Sequence, residues 1–290
     1  MENTKGKLQQ IQYWQGALAK HWDIEAELSC LDGEYDLNFL AQTDEDQGYI
    51  LKVMRPGCET WLVDMQVKAF EHIAERNPQV PCPRVIRSVG QEALLHLADE
   101  NGKERLVWVL NRLPGRCYAH AKPKSAALIH EVGVVLGGSA LALADFQHEG
   151  LERDFKWNLM LASWIKDQLS CITDPARRKI IETIATDFAR LEPALKKLEV
   201  QAIHNDANDY NILVTGVLNE PCHVSGLIDL GDICAAAHVC DLAIAAAYIV
   251  LDYDAPEAAL AALVAGYHEA YPLTATEVDM IWPLLRARLA

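Results

Sequence analysis

"AIHNDANDYNIL", residues 202–213, holds one His, three Asn and two Asp within the eight positions 204–211, directly ahead of a strand-like run. A solvated loop accounts for one or two such side chains, since Asp and Asn settle into tight turns for local reasons. It accounts less well for "GLIDLGD", 226–232, where a second apolar run ends on Asp229, eighteen residues after Asn211. The two runs read as strands 211–215 and 223–229 of a hairpin that turns near Asn219, Glu220 and Pro221. Neighbouring strands lie about 4.8 Å apart. Such a ribbon brings Asn211 and Asp229 side by side at its open end, with His204, Asp206 and Asn208 on the loop entering that end.

An amide and a carboxylate are hard oxygen donors that suit Mg²⁺, which keeps several waters and otherwise takes oxygens from phosphates. Asp206, five residues before the amide, is placed to accept a proton from an attacking hydroxyl. Phosphoryl transfer needs that division of labour, because positioning and charge neutralisation do most of its catalysis.

The remainder of the chain sets bounds on this reading. Its 290 residues fit one large domain or two modest ones. A net charge of -15 argues against a nucleic-acid partner or an anionic membrane surface. The eight cysteines form no C-x-x-C pair and read as reduced, mostly buried thiols of a cytoplasmic protein. The N-terminal "MENTKGKLQQ" lacks the apolar core of a signal peptide. The longest apolar stretch, 233–251, carries His238 and Asp241 and reads as a core helix.

Along the chain, helical spacing over 7–20 gives way to strand-like runs at 24–31, 37–42 and 48–54, the last two separated by the polar turn "TDEDQ". A helix follows over 60–76, then strands within 92–98 and 105–113, and a break at "LPGR", 113–116. Helices are expected at 125–146 and 158–169 and as a pair over 175–198, then the hairpin, then helices to the end. The fold class is therefore α+β in two lobes: a β-rich N-lobe, 1–110, and a mainly helical C-lobe, 111–290.

"HNDANDYN" followed by "IDLGD" resembles the aminoglycoside phosphotransferase and choline kinase superfamily. The resemblance covers nearly the whole chain and implies a bilobal protein-kinase-like fold. It makes Asp206 the catalytic base, Asn211 and Asp229 the Mg²⁺ ligands, and His204, grouped with the catalytic residues, a support for the loop. Asp241 in "VCDLAIA" would brace that loop from the start of a helix, a role close to a simple helix cap. In the N-lobe it implies that Lys52 reaches the phosphates of ATP or GTP, with Asp64, or Glu71 two turns on, as its carboxylate partner. No G-x-G-x-x-G loop is present; "GEYDLNF", 33–39, stands in its place, with Gly33 and Asn38 as nucleotide contacts. "VLNRLPG", 109–115, would be the hinge beside the base.

Further strings, "EYDLNF", "YILKV", "LVDMQ", "RLPGR" and "FKWNL" among them, resemble the hydroxylysine kinases and the kinase-like domain fused ahead of class-III aminotransferase-type enzymes. This implies a small amino alcohol or hydroxy amino acid as acceptor, with Asp209, Asp232 and Trp157 as candidates to hold its ammonium by charge and ring face. The closing segment "VDMIWPLLRARLA" is an apolar-periodic helix that stops without Gly, Pro or a polar cap. We therefore expect a longer natural chain, with a covalently linked PLP-dependent domain. Two departures stand out: Leu230 replaces the usual aromatic, and "CAAAH", 234–238, lacks larger polar residues, which leaves the acceptor open. Rival readings are a catalytically silent nucleotide-binding module regulating a fused PLP enzyme, and a choline- or aminoglycoside-type kinase. "GVVLGGS", 133–139, lacks the Lys of a phosphate loop and reads as close helix packing; His238 reads as a satisfied core histidine.

Overall fold

Alternation with period two builds the first part of the molecule. In the computed structural model, which describes residues 2–33, 35–43, 47–216 and 221–290, Phe39, Ala41, Leu51, Val53, Val107 and Val109 are all essentially buried. They fall on one face of an antiparallel sheet, because successive strand residues point to opposite sides. The elements are α1 (Glu2–Trp22), β1 (Glu27–Leu31), β2 (Leu37–Gln42), β3 (Gly48–Val53), α2 (Thr60–Arg76), β4 (Val85–Ile86), β5 (Leu95–Ala98) and β6 (Glu104–Asn111). The order is β1-β2-β3-β6-β4, with β5 also on β6. Trp14, Leu18 and Trp22 of α1 share a core with that apolar face. The opposite face carries one rung in register, Asn38 beside Lys52 and Lys52 beside Trp108, and Phe70 of α2 lies near the Trp108 ring.

The chain divides into two compact units, 1–71 with 83–113, and 72–82 with 114–290. The end of α2 and the proline segment after it thus count with the second unit, where the Leu227 N–H donates to the Pro81 carbonyl. Residues 109–115 cross the division. The turns expected at 44–46 and 217–220, and Glu34 of "GEYDLNF", lie outside the described residues.

The second unit continues with β7 (Arg116–Cys117), α3 (Ala126–Ala142), α4 (Pro175–Leu195), β8 (Gln201–Ile203), β9 (Ile212–Thr215), β10 (His223–Leu227), β11 (Cys234–Ala236), α5 (Val239–Ile249), α6 (Pro256–Ala270) and α7 (Ala275–Leu289). Every residue of α5 except Tyr248 is buried, as an all-round apolar helix should be. α3 and α6 touch backbone to backbone. A Cβ built on Gly133 would fall 2.2 Å from the Leu263 carbonyl oxygen, and one on Gly266 would fall 1.9 Å from that of His130. Gly133 and Gly137 of "GVVLGGS" therefore serve helix packing, while Gly138 faces Asn77 and Val80.

Three expectations change. The segment 159–171 is a 3₁₀ helix, not an α-helix, and its buried residues Leu159, Ala162 and Ile165 recur every third position, the period of that helix. The pair expected over 175–198 is one helix, with Pro193 inside it. The stretch 233–251 is not all helix: its first residues form β11, paired with β8. The eight cysteines are all unbonded, but only four are buried.

Candidate active site

Two small ribbons, rather than one, build the polar cluster. β9 and β10 pair antiparallel with Ile212 opposite Leu227, and the Ile228 N–H donates to the Asn211 carbonyl (2.9 Å). β8 and β11 pair with Ile203 opposite Cys234. The loop 204–211 runs from β8 to β9 and the loop 228–233 from β10 to β11, so both loops are pinned at both ends. Asn211 stands opposite Ile228, and Asp229 follows one residue further on. Asn205 and Asp229 both adopt left-handed backbone (φ 65°). Asn and Asp reach that region more readily than other side chains with a Cβ, and such geometry concentrates at functional sites.

Backbone bonds hold the first loop. Asp241, wholly buried in the first turn of α5, accepts from the His204 N–H (2.9 Å) and the Asn205 N–H (2.7 Å). Burial pushes its carboxyl pKa up, opposed by His204 and by those N–H donors. His204 is also wholly buried. Its Nδ1 accepts from the Asp206 N–H (3.2 Å), which makes Nε2 the protonated nitrogen, donating to the Ile228 carbonyl (2.9 Å). Both ring nitrogens are thus committed to backbone. His204, grouped with the catalytic residues on sequence, ties the two loops together and does not present a nitrogen to a substrate.

Asp206 is the focus of this arrangement. Its Oδ2 accepts from Asn208 Nδ2 (3.0 Å) and Asn211 Nδ2 (2.9 Å), and Asn211 Nδ2 also reaches the Asp206 carbonyl (2.8 Å). Its Oδ1 accepts from Arg288 Nη2 (3.1 Å). Burial raises the Asp206 pKa, with Asp229 adding to the rise and Asn208, His204 and Arg288 opposing it. Asn208 itself closes an Asx turn, accepting from the Tyr210 N–H (2.8 Å) and the Asn211 N–H (3.1 Å). The Asn211 amide is oriented by these bonds: Nδ2 faces Asp206, and Oδ1 is turned away as an acceptor. Asp229 Oδ1 accepts from the Gly231 N–H (3.0 Å).

The three acceptor candidates part company. Asp232 is pushed up to about 6, first by burial and then by Asp206, with Arg153 and Arg288 opposing, so it shares the field of the cluster. Trp157 lies with its ring 6.0 Å from the Arg288 guanidinium, and its carbonyl accepts from Asn205 Nδ2 (3.4 Å). Asp209 instead acts on the Cys117 thiol, and its carbonyl accepts from the Ala119 N–H (2.8 Å). Among the described residues no hydrogen bond or ion pair joins the Asp209 carboxylate to Asp206.

Arg153 and Arg288 escaped sequence reasoning. Arg153 Nη2 donates to the carbonyls of Gly231 (2.9 Å) and Ile233 (3.1 Å), clamping the second loop. Its only local signal was a basic residue two positions before "FKWNL". Arg288 lies 82 residues from Asp206 and has no local signal at all.

In the first unit, Lys52 Nζ sits 5.5 Å from the Trp108 ring centre. The Oδ1 of Asn38 is buried without a hydrogen-bond partner among the described residues. A Cβ on Gly33 would fall 2.7 Å from Asn38 Nδ2, so glycine is required for that approach. Asp64 pairs with Lys68 (2.6 Å), while Glu71 is engaged by Arg87.

Residues 29–276 match the APH phosphotransferase enzyme family. The chain belongs to this family. It is accordingly a phosphotransferase of the small-molecule kinase type. It is 28% identical over 264 residues to hydroxylysine kinase of Mus musculus, covering 86% of this chain and 69% of that enzyme. It is 28% identical over 216 residues to the Xenopus laevis hydroxylysine kinase, covering 69% of this chain and 57% of that enzyme. The chain thus spans about two thirds or less of these two relatives. Among solved structures, the amicoumacin kinase hAmiN, in complex with AMP-PNP, Ca²⁺ and Ami, superposes with a TM-score of 0.72 at 13% identity over 96% of this chain and 83% of that one. A microcompartment-associated aminopropanol kinase superposes at 0.71 and 17% identity, over 96% and 86%. These likenesses establish the kinase-like α+β fold of this phosphotransferase. Among the described residues, no helix of the family member is long and apolar enough to cross a membrane.

Proposed function

We propose that this phosphotransferase moves the terminal phosphate of a nucleoside triphosphate, ATP or GTP, to a hydroxyl of a small amino alcohol or hydroxy amino acid resembling hydroxylysine. The observation that carries the reading is the held carboxylate of Asp206: two amides fix Oδ2, so Oδ1, which accepts from Arg288 alone among the described residues, is the oxygen left to meet an acceptor. Asp206 takes the acceptor's proton, and its raised pKa makes it a stronger base than an ordinary carboxylate. Asp241 and His204 keep the loop in place around it.

The donor set fits Mg²⁺. Asn211 Oδ1, turned outward by the bonds of its own Nδ2, and the Asp229 carboxylate are hard oxygens, and two of them leave room for phosphate oxygens and water. When bound, the ion would neutralise phosphate charge. Lys52 supplies a cation for the donor phosphates, and Asn38 Oδ1 offers a buried acceptor beside it in the same rung. The hydroxylysine kinase relatives and the aminopropanol kinase neighbour support acceptors bearing both an amine and a hydroxyl.

The test is release of nucleoside diphosphate from ATP and from GTP with Mg²⁺, across a panel of amino alcohols and hydroxy amino acids. Asp206→Asn is expected to lower kcat at least about 100-fold while leaving the circular dichroism spectrum unchanged. Turnover untouched by that substitution would exclude Asp206 as the base. Nucleotide binding without turnover of any acceptor would favour a silent nucleotide-binding module.

A further inference from the structure

The side of Asp206 facing away from its amides meets a cation. Arg288, in the last turn of α7, sets Nη2 3.1 Å from Asp206 Oδ1 and 3.1 Å from the Tyr248 hydroxyl. Its side chain is only 12% exposed. The guanidinium lies 5.6 Å from the Tyr248 ring centre, and Tyr248 is the one residue of α5 that is not fully buried. Beside it is a cleft of about 60 Å³ whose lining includes Lys156, Trp157, Trp164 and Arg288. Lys156 Nζ sits 4.4 Å from the Trp164 ring centre. In a chain of net charge -15, two cations line one small cleft, and one of them touches the candidate base.

A stability role alone explains this poorly. In a largely buried ion pair desolvation offsets much of the attraction, and a guanidinium held against the base competes with any hydroxyl that approaches Oδ1. Only Nη2 has hydrogen-bond partners among the described residues, which leaves Nε and Nη1 of a planar fork suited to a carboxylate. The same cations repel an acceptor's ammonium, which the carboxylates of the cluster attract.

We propose that the acceptor is a hydroxy amino acid whose carboxylate is held by the Arg288 guanidinium, with Lys156 lining the same cleft. This rests on the phosphotransferase reading above and narrows it: amino alcohols that lack a carboxylate are poor acceptors. Carboxylate binding draws the guanidinium off Asp206 Oδ1, so that the acceptor itself uncovers the base.

Matched pairs test it: 5-hydroxylysine against 1,5-diaminopentan-2-ol, and threonine against 1-amino-2-propanol, each differing only by the carboxylate. Wild type is expected to favour the acid of an accepted pair by roughly 10- to 100-fold in kcat/KM, the range of a charge-assisted fork. Arg288→Gln should bring that ratio close to one by raising KM for the acid, and Arg288→Lys should retain part of it. Equal use of both members by wild type overturns the assignment. So does an Arg288→Gln effect equal on both members, which would leave Arg288 as a holder of Asp206 only. Both results leave phosphoryl transfer intact. If no acceptor is turned over, calorimetric binding of the same pairs decides the matter, and absence of an Arg288-dependent preference overturns it. Failure to bind ATP or GTP would instead refute the phosphotransferase reading itself.

Discussion

Asp232→Asn should make the protein more stable at neutral pH, an unusual result for a candidate binding residue. Burial and the repulsion of Asp206 and Asp229 lift the Asp232 carboxyl from its ordinary 3.8 to about 6 in the folded protein. Between those two values the folded state holds a proton that the unfolded state has released. Stability therefore falls as pH rises through that window, and the loss is complete above the folded pKa. At about 1.4 kcal/mol per tenfold change in proton affinity, the full loss is about 3 kcal/mol. Asparagine is neutral and nearly isosteric with the protonated carboxyl, so the variant escapes the loss. The assay is urea unfolding followed by tryptophan fluorescence, with EDTA present so that no cation offsets the charge. The expected gain is about 3 kcal/mol near pH 7.5, shrinking toward zero near pH 4. A variant no more stable than wild type near pH 7.5, or one whose gain is the same near pH 4, would refute the reasoning. Acceptor affinity should fall in the same variant, which would identify Asp232 as a position where stability is given up for binding.

Other perturbations read the frame around the site. Asp241→Ala strands two buried N–H groups and should cost about 2–6 kcal/mol in urea unfolding, with Asp241→Asn in between because one acceptor oxygen survives. Gly266→Ala should destabilise by about 2 kcal/mol or more, since the new Cβ would meet the His130 backbone at 1.9 Å. Gly16→Ala, where nothing lies within 4 Å, should stabilise by about 0.5–1 kcal/mol; paired melting curves would expose a failure of sign in either. Glu277 binds His238 (2.8 Å) and closes the capping box of α7. Its replacement by Ala should cost about 3–5 kcal/mol, and a double-mutant cycle with His238→Ala should return a large coupling.

Several strands and helices were legible because their patterns are local. β2 and α2 fall on the residues that alternation and helical spacing assigned, 37–42 and 60–76. The 3₁₀ segment 159–171 was missed because its buried residues Leu159, Ala162 and Ile165 span only two turns, and spacing by three suits one face of either helix over so short a run. β8 and β11 were missed because three-residue strands carry no periodicity of their own.

By itself the sequence determined the loop chemistry. The residues from His204 to Asn211, with Asp229, announce a carboxylate and an amide by their offsets, and the family resemblance adds Asp241 as a brace. Tertiary structure alone decided what surrounds them. It set Arg288 on Asp206 from 82 residues away, clamped the second loop with Arg153, drew Asp232 into the cluster and left Asp209 beside Cys117. The physical reason is range. Turns and strand registers are written in neighbouring residues, whereas charge and burial act between side chains that only the packing of α5, α7 and the 3₁₀ segment makes neighbours.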